Sequence, residues 1–172
     1  MIETEVRFKA GDRELSKIEG LGANLVSDYS STDTYFTYGD PKDRKFVLRI
    51  CVGKGKAILT FKTSARAGAD TAWHEWENQI SDPEALDKIL RASGFTKVVV
   101  IKKDRKQFSY QDYEINFDRI EGLGTYVEIE AKSDEEGASD AKERLERFAT
   151  EKFSATKDRL IDKGYVKLML GE

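Results

Sequence analysis

Successive side chains of an extended strand point to opposite sides, so residues two apart share a face. The first nine residues of this chain sort by that rule. Glu3, Glu5, Arg7 and Lys9 fall on one side, while Ile2, Val6 and Phe8 fall on the other. The pattern recurs far along the chain, where Tyr126, Glu128, Glu130 and Lys132 share a face opposite Val127 and Ile129. Glu75 and Glu77 share another face, as do Asn116 and Asp118. Basic residues repeat the spacing: Lys45 and Arg49 flank Val47, Lys62 follows Thr60 by two, and Lys103 precedes Arg105 by two. A period of two over this many segments calls for strands with one charged and one apolar face.

Strands are expected near 2–9, 32–38, 44–52, 56–64, 73–80, 97–109, 112–119 and 125–132. Eight strands can close into a barrel. Gly53-Lys54-Gly55, Gln111-Asp112 and Gly122-Leu123-Gly124 supply turns between neighbours, which makes most connections antiparallel. Helices fit 12–21, 82–93, 135–152 and 156–162, with a short one over 164–170. Ser81-Asp82-Pro83-Glu84 provides the cap and first turn of the second. The fold class is therefore α+β, a mainly antiparallel eight-stranded β-barrel with peripheral helices.

The chain's 172 residues fit one domain, 1–172, and no Gly/Ser-rich linker divides it. Charged residues make up 35% of the chain, yet the net charge is only -3, which argues against a nucleic-acid polymer as partner. No apolar leader-like run opens the sequence and no stretch approaches the ~20 apolar residues of a membrane span, so no membrane partner and a cytoplasmic location are expected. The single cysteine, Cys51, has no disulfide partner within the chain and no Cys/His companions at zinc spacing.

Carboxylates at this density repel one another unless cations neutralise them, and hard oxygen ligands suit Mg²⁺ or Mn²⁺. The basic faces call for a polyanion, with arginine gripping phosphate through its fork and lysine as a point charge. A triphosphate held by metal ions and basic side chains reconciles the two sets. Any single pair could equally be a solvated surface ladder, the Lys102-Lys103-Asp104-Arg105-Lys106 run above all. His74 has no nucleophile and orienting partner to make a triad, and Gly53-Lys54-Gly55-Lys56 lacks the spacing of a phosphate loop and reads as a hairpin. No residue identifies itself as a general base.

In chain order these faces resemble the CYTH family, the triphosphate tunnel metalloenzymes, which includes class IV adenylyl cyclases, thiamine triphosphatases and inorganic triphosphatases. Glu3-Thr4-Glu5-Val6-Arg7 is similar to the opening Glu-x-Glu-x-Lys, with arginine in place of lysine. Asp33-Thr34-Tyr35-Phe36, Leu48-Arg49-Ile50-Cys51, Leu59-Thr60-Phe61-Lys62, Glu75-Trp76-Glu77 and Lys103-Asp104-Arg105 resemble successive family strands. Cys51 stands at the second basic position of its motif. Asp118, the Gly122-Leu123-Gly124 turn and Glu128-Ile129-Glu130 resemble the closing motif.

The resemblance implies a closed tunnel in which Glu3, Glu5 and Glu130 hold one metal ion, and Glu75 or Glu77 with Asp118 and Glu128 help hold a second. Arg7, Lys9, Arg49, Lys62, Lys103 and Arg105 would grip the phosphates. Lys157 or Arg159 is expected at one tunnel mouth. The implied function is metal-dependent hydrolysis of inorganic or organic triphosphate. Conversion of ATP to cyclic AMP and pyrophosphate, or binding of polyphosphate or nucleotide without turnover, are the alternatives.

Overall fold

The computed structural model describes residues 2–40, 45–64, 72–134 and 137–172. In chain order the elements are β1 (Ile2–Lys9), α1 (Asp12–Gly20), β2 (Asn24–Tyr38), β3 (Phe46–Gly53), β4 (Lys56–Ser64), β5 (Ala72–Ile80), α2 (Pro83–Ala92), β6 (Phe95–Tyr110), β7 (Tyr113–Ile120), β8 (Gly124–Ser133), α3 (Ala138–Phe153) and α4 (Tyr165–Leu170). The strands close into a barrel in the order β1-β5-β4-β3-β2-β6-β7-β8, and every neighbouring pair is antiparallel.

Two elements differ most from the sequence expectation, the other boundaries shifting by three residues or fewer. β2 begins at Asn24, eight residues before the expected start, and runs beside β6 along almost its whole length. Its extension, Asn24-Leu25-Val26-Ser27-Asp28-Tyr29-Ser30-Ser31, has no apolar alternation to announce a strand. The helix expected over 156–162 shrinks to one 3₁₀ turn, Lys157–Arg159, because the chain then straightens against β1. There Leu160 bridges Phe8, and the Ile161 N–H donates to the Arg7 carbonyl at 2.8 Å. The first two residues of the helix expected over 135–152, and residue 44 of the third strand, lie outside the described residues.

The apolar faces look outward, where helices cover them. Val6, Phe8, Ile115, Phe117, Val127 and Ile129 pack with Ile18 of α1 and with Leu145, Phe148, Ala149 and Phe153 of α3. On the far side Phe36, Leu48 and Ile50 meet Leu86 and Leu90 of α2. The Asp82 carboxylate caps α2 by accepting the Ala85 N–H at 2.8 Å. Burying a leucine- or phenylalanine-sized side chain contributes about 1.5–3 kcal/mol, so these outer layers can hold a barrel whose interior is polar.

The β3–β4 turn has positive φ at both central residues, Lys54 at 53° and Gly55 at 67°. Gly53 beside it is fixed for a different reason: a Cβ there would stand 2.9 Å from the Ser30 carbonyl oxygen. This close approach holds the hairpin against β2 at one end of the barrel. Among the described residues no helix is long and apolar enough to cross a membrane.

Candidate functional site

With the apolar faces taken by helices, the period-two alternation directs the charged faces of the strands into the barrel. They line a cavity of about 910 Å³, within the ~300–1,000 Å³ usual for small-molecule sites. Every strand contributes, and the lining includes Glu3, Glu5, Arg7, Arg49, Lys62, Glu75, Glu77, Lys103, Arg105, Glu128 and Glu130.

On one wall, β1 and β8 place Glu5 directly opposite Glu130, with Glu3 two residues along. One carboxylate oxygen from each of these three residues lies within 4.8 Å of the others, and no other group of three potential ligands does so among the described residues. Burial, reinforced by repulsion from Glu3 and Glu128, pushes the Glu130 carboxyl well above the usual carboxylate range. Burial also raises Glu5, against the opposing pull of Arg7. For Glu3 burial acts upward too, but Lys62 outweighs it and holds the group below its ordinary value. Two buried carboxylates and a half-buried third, two of them raised, suit a divalent cation, whose charge would relieve the repulsion.

Lys62 continues the ring. Its Nζ lies 2.5 Å from Glu3 Oε1 and 3.2 Å from Glu75 Oε1, and these carboxylates keep it charged despite its burial. Glu75 is pushed up to about 7, first by burial, with Lys62 opposing and Glu3 and Glu77 adding repulsion. Further around, Arg49 Nη2 donates to Thr60 Oγ1 at 3.0 Å, which donates to Glu77 Oε1 at 2.9 Å. Arg49 Nε is buried without a hydrogen-bond partner. A donor left in this state costs about 1–3 kcal/mol, and an anion's oxygen would satisfy it.

The adjoining stretch of the barrel, from β6 through β7 and β8 to β1, is knitted by arginines. Arg105 grips Asp118 through two bonds of 2.7 and 2.6 Å and reaches Glu128 at 3.1 Å. Arg7 also binds Glu128, through Nε at 2.9 Å and through Nη2, and reaches Glu5 at 2.8 Å. Burial pushes the Glu128 carboxyl up, yet Arg7 and Arg105 overcome it and hold the group well below the ordinary value. The residues named for a second metal ion are therefore divided. Asp118 and Glu128 share Arg105, whereas Glu75 stands with Lys62 and Glu3.

Two of the expected phosphate ligands lie outside the cavity lining. Lys9 is exposed at the end of β1, beyond the cavity, because the last tunnel-lining residue of that strand is Arg7. Lys157 is 85% exposed and pairs with Glu146 of α3 at 3.2 Å, since the 3₁₀ turn lies outside the barrel. Arg159 is likewise exposed and donates to the Ser154 carbonyl. A residue not named among the expected ligands, Tyr165, also lines the cavity. Its hydroxyl donates to Asp118 Oδ2 at 3.0 Å, and the Arg7 guanidinium lies 4.3 Å from its ring centre. Arg7 Nη1 also donates to the Lys163 carbonyl at 2.8 Å, which ties this segment to the tunnel.

Asp33 was also missing from the expected ligands, although its motif was visible. It is fully buried, with Lys103 at 3.1 Å and Arg49 at 3.6 Å. Burial acts upward on its carboxyl, but these cations hold it down to about 2. Cys51 faces Asp33 across the β2–β3 pair and lines the cavity, with its thiol pushed up to about 11 by burial and by Asp33. At that value the thiol stays protonated and serves as a small neutral wall residue.

The family model described as the CYTH domain matches residues 1–161. A Methanocaldococcus jannaschii protein whose name proposes an adenylate cyclase is 28% identical over 174 residues, covering 98% of each chain. A conserved Pyrococcus furiosus protein of solved structure, named as hypothetical, is 26% identical with a TM-score of 0.87, covering 96% of this chain and 99% of that one. A Hippeastrum structure, described as an adenylyl cyclase candidate revealing a dominant triphosphatase activity, has a TM-score of 0.65 at 17% identity, covering 99% of this chain and 96% of that one. At that identity the likeness is one of fold.

Proposed function

The chain belongs to the CYTH domain family, and from that premise we propose that it is a metal-dependent triphosphatase acting inside the barrel. The observation that carries this reading is the juxtaposition of three crowded carboxylates, Glu3, Glu5 and Glu130, with the cations Arg7, Lys62, Lys103, Arg105 and Arg49 in one cavity. Glu3, Glu5 and Glu130 would hold Mg²⁺ or Mn²⁺, in keeping with the preference of these ions for oxygen ligands. When bound, such an ion neutralises charge on phosphate oxygens and helps align an attacking water.

The chain's own residues do the rest. Arg49 offers an unoccupied Nε to one phosphoryl oxygen, and Lys62 stands between the carboxylate group and the substrate. Arg7 and Arg105, now paired with Glu128 and Asp118, would turn part of their donor set to the polyphosphate. The reaction joins a water oxygen to the terminal phosphorus and breaks that phosphorus's bond to the bridging oxygen. The departing oxyanion stays on the shortened polyphosphate, and the water proton passes to solvent. A cavity that fixes the phosphate chain and the water lowers the barrier mainly by positioning and by preorganised charge.

Cyclisation of ATP is the second reading, favoured by the name of the Methanocaldococcus relative. The same cavity would then hold the ribose hydroxyl at the α-phosphorus. Phosphorus NMR of products from inorganic triphosphate and ATP, with Mg²⁺ or Mn²⁺, decides. Orthophosphate from the terminal position supports hydrolysis. Cyclic AMP and pyrophosphate from ATP, with inorganic triphosphate left intact, overturns it in favour of the cyclase.

A further inference from the structure

The barrel wall is uneven where β1 meets β5. Among the described residues these strands pair only through Ile2, Glu3 and Thr4, set against His74, Trp73 and Ala72. β5 runs on to Ile80 with β4 along its other side. The edge from Trp76 to Ile80 that faces away from β4 therefore has no strand beside it among the described residues. Further along β1 the corresponding edge is covered, because Leu160 bridges Phe8 and the Ile161 N–H donates to the Arg7 carbonyl. On β5, Trp76, Glu77, Asn78 and Gln79 stay exposed.

An unpaired strand edge is a template for another strand, and proteins commonly blunt it with lysine, proline or a bulge. Trp76-Glu77-Asn78-Gln79-Ile80 has neither lysine nor proline, and it pairs with β4 without a register shift. Its outer face also carries aromatic surface open to water. Trp76 is 57% exposed, its ring lies 6.0 Å from that of Phe61, itself 37% exposed, and Phe61 lies 5.5 Å from Phe46. This aromatic row reaches the free edge at Trp76.

The edge is complementary to itself. Trp76, Asn78 and Ile80 share the outer face of β5, and Glu77 and Gln79 share the tunnel face. Two copies related by a two-fold axis would pair antiparallel about one central residue. A centre at Glu77 sets two carboxylates opposite each other, and a centre at Gln79 sets Trp76 against Asp82. A centre at Asn78 sets Trp76 against Ile80, Glu77 against Gln79 and the two Asn78 amides together. Only this last register makes every cross-strand pair apolar or hydrogen-bonding.

We propose that a second copy of this chain docks on the Trp76–Ile80 edge, joining two barrels through an antiparallel β5–β5 pair centred on Asn78. Gln79 of the partner subunit then stands opposite Glu77, which lines the cavity, so each copy adds a residue to the rim of the other's tunnel.

Sedimentation velocity of the full chain reads the assembly, and single cysteines read the register. Directly opposed residues of antiparallel strands stand about 4.5–5.5 Å apart at Cα, within the reach of a disulfide. Asn78→Cys is therefore expected to give a covalent dimer under mild oxidation. Gln79→Cys, which would face Glu77 rather than its own copy, and the wild type, whose Cys51 lines the cavity, are not. Trp76→Lys is expected to weaken the dimer by about tenfold or more, since it removes the largest apolar group of the contact. Asn78 is exposed, so its cysteine variant keeps the test open if Trp76→Lys fails to fold. A wild type that stays monomeric at the highest concentration reached overturns the proposal. So does a dimer that forms no Asn78→Cys bridge, or one that Gln79→Cys bridges equally well.

Discussion

Glu130→Gln is expected to stabilise the metal-free protein and to blunt its response to Mg²⁺. The Glu130 carboxyl is raised by burial and by repulsion from Glu3 and Glu128. A group of this sign contributes fully to stability below its unfolded value, 4.5, and loses that contribution as pH rises through its folded value. At pH 7 the folded protein must therefore either protonate the group or carry a repelled charge. Neutralising an ordinary carboxyl at that pH costs about 3 kcal/mol, which is the ceiling on what glutamine can recover. In a domain of this length each kcal/mol moves Tm by about 2–4 °C, so a gain of about 3 °C or more is expected, with a ceiling near 12 °C.

Mg²⁺ should reverse the ranking. A cation present at 100 times its Kd stabilises the wild type by about 2.7 kcal/mol, and a site that loses one of three anionic ligands gains much less. Differential scanning calorimetry with and without Mg²⁺ checks both halves. A variant that melts below wild type without metal, or that gains as much from Mg²⁺, would refute the view of Glu130 as a crowded ligand.

Arg49→Ala is expected to weaken triphosphate binding by about tenfold or more while changing orthophosphate affinity little, since a charge-assisted contact is worth about 1.5–3 kcal/mol; calorimetric titration of both anions reads the difference, and equal losses would remove Arg49 from the phosphate grip. Cys51→Arg places a guanidinium in the cavity beside Asp33, so the fold is expected to persist with triphosphate affinity raised, whereas collapse of the melting transition would show that the site cannot admit the charge. Protons compete with metal at Glu5 and Glu130, whose carboxyls burial raises. The Tm increase caused by Mg²⁺ should therefore be larger near pH 8 than near pH 5.5, and a flat or inverted dependence would contradict that competition.

Strand parity was the part of the structure most open to reading in the sequence. A period of two survives any uncertainty in where a strand begins, so Glu3, Glu5 and Arg7 were assigned to one face without knowing their partners. What parity cannot say is whether the charged face looks in or out. That depends on helices covering the apolar face, as Leu145 and Phe148 of α3 do. The early half of β2 was invisible for a related reason. Between Asn24 and Ser31 one face meets a charged tunnel and the other meets water, so no hydrophobic signal separates them.

The partners of Tyr165 and Asp33 cannot be read from local spacing, because these contacts join distant parts of the chain. The Arg7–Lys163 bond, for instance, spans 156 residues. Lys9 and Lys157 show the converse. Parity or motif placed them near the tunnel, but β1 leaves the cavity after Arg7, and a 3₁₀ turn replaces the expected helix.

Crystals grown with Mn²⁺ and inorganic triphosphate, with anomalous data collected at the manganese edge, test the central assignment most directly. The account predicts an anomalous peak ligated by Glu3, Glu5 and Glu130, with phosphate density running from it along Lys62 and Arg49. Manganese bound only elsewhere, or triphosphate seated outside the barrel while those three carboxylates bind nothing, would contradict it.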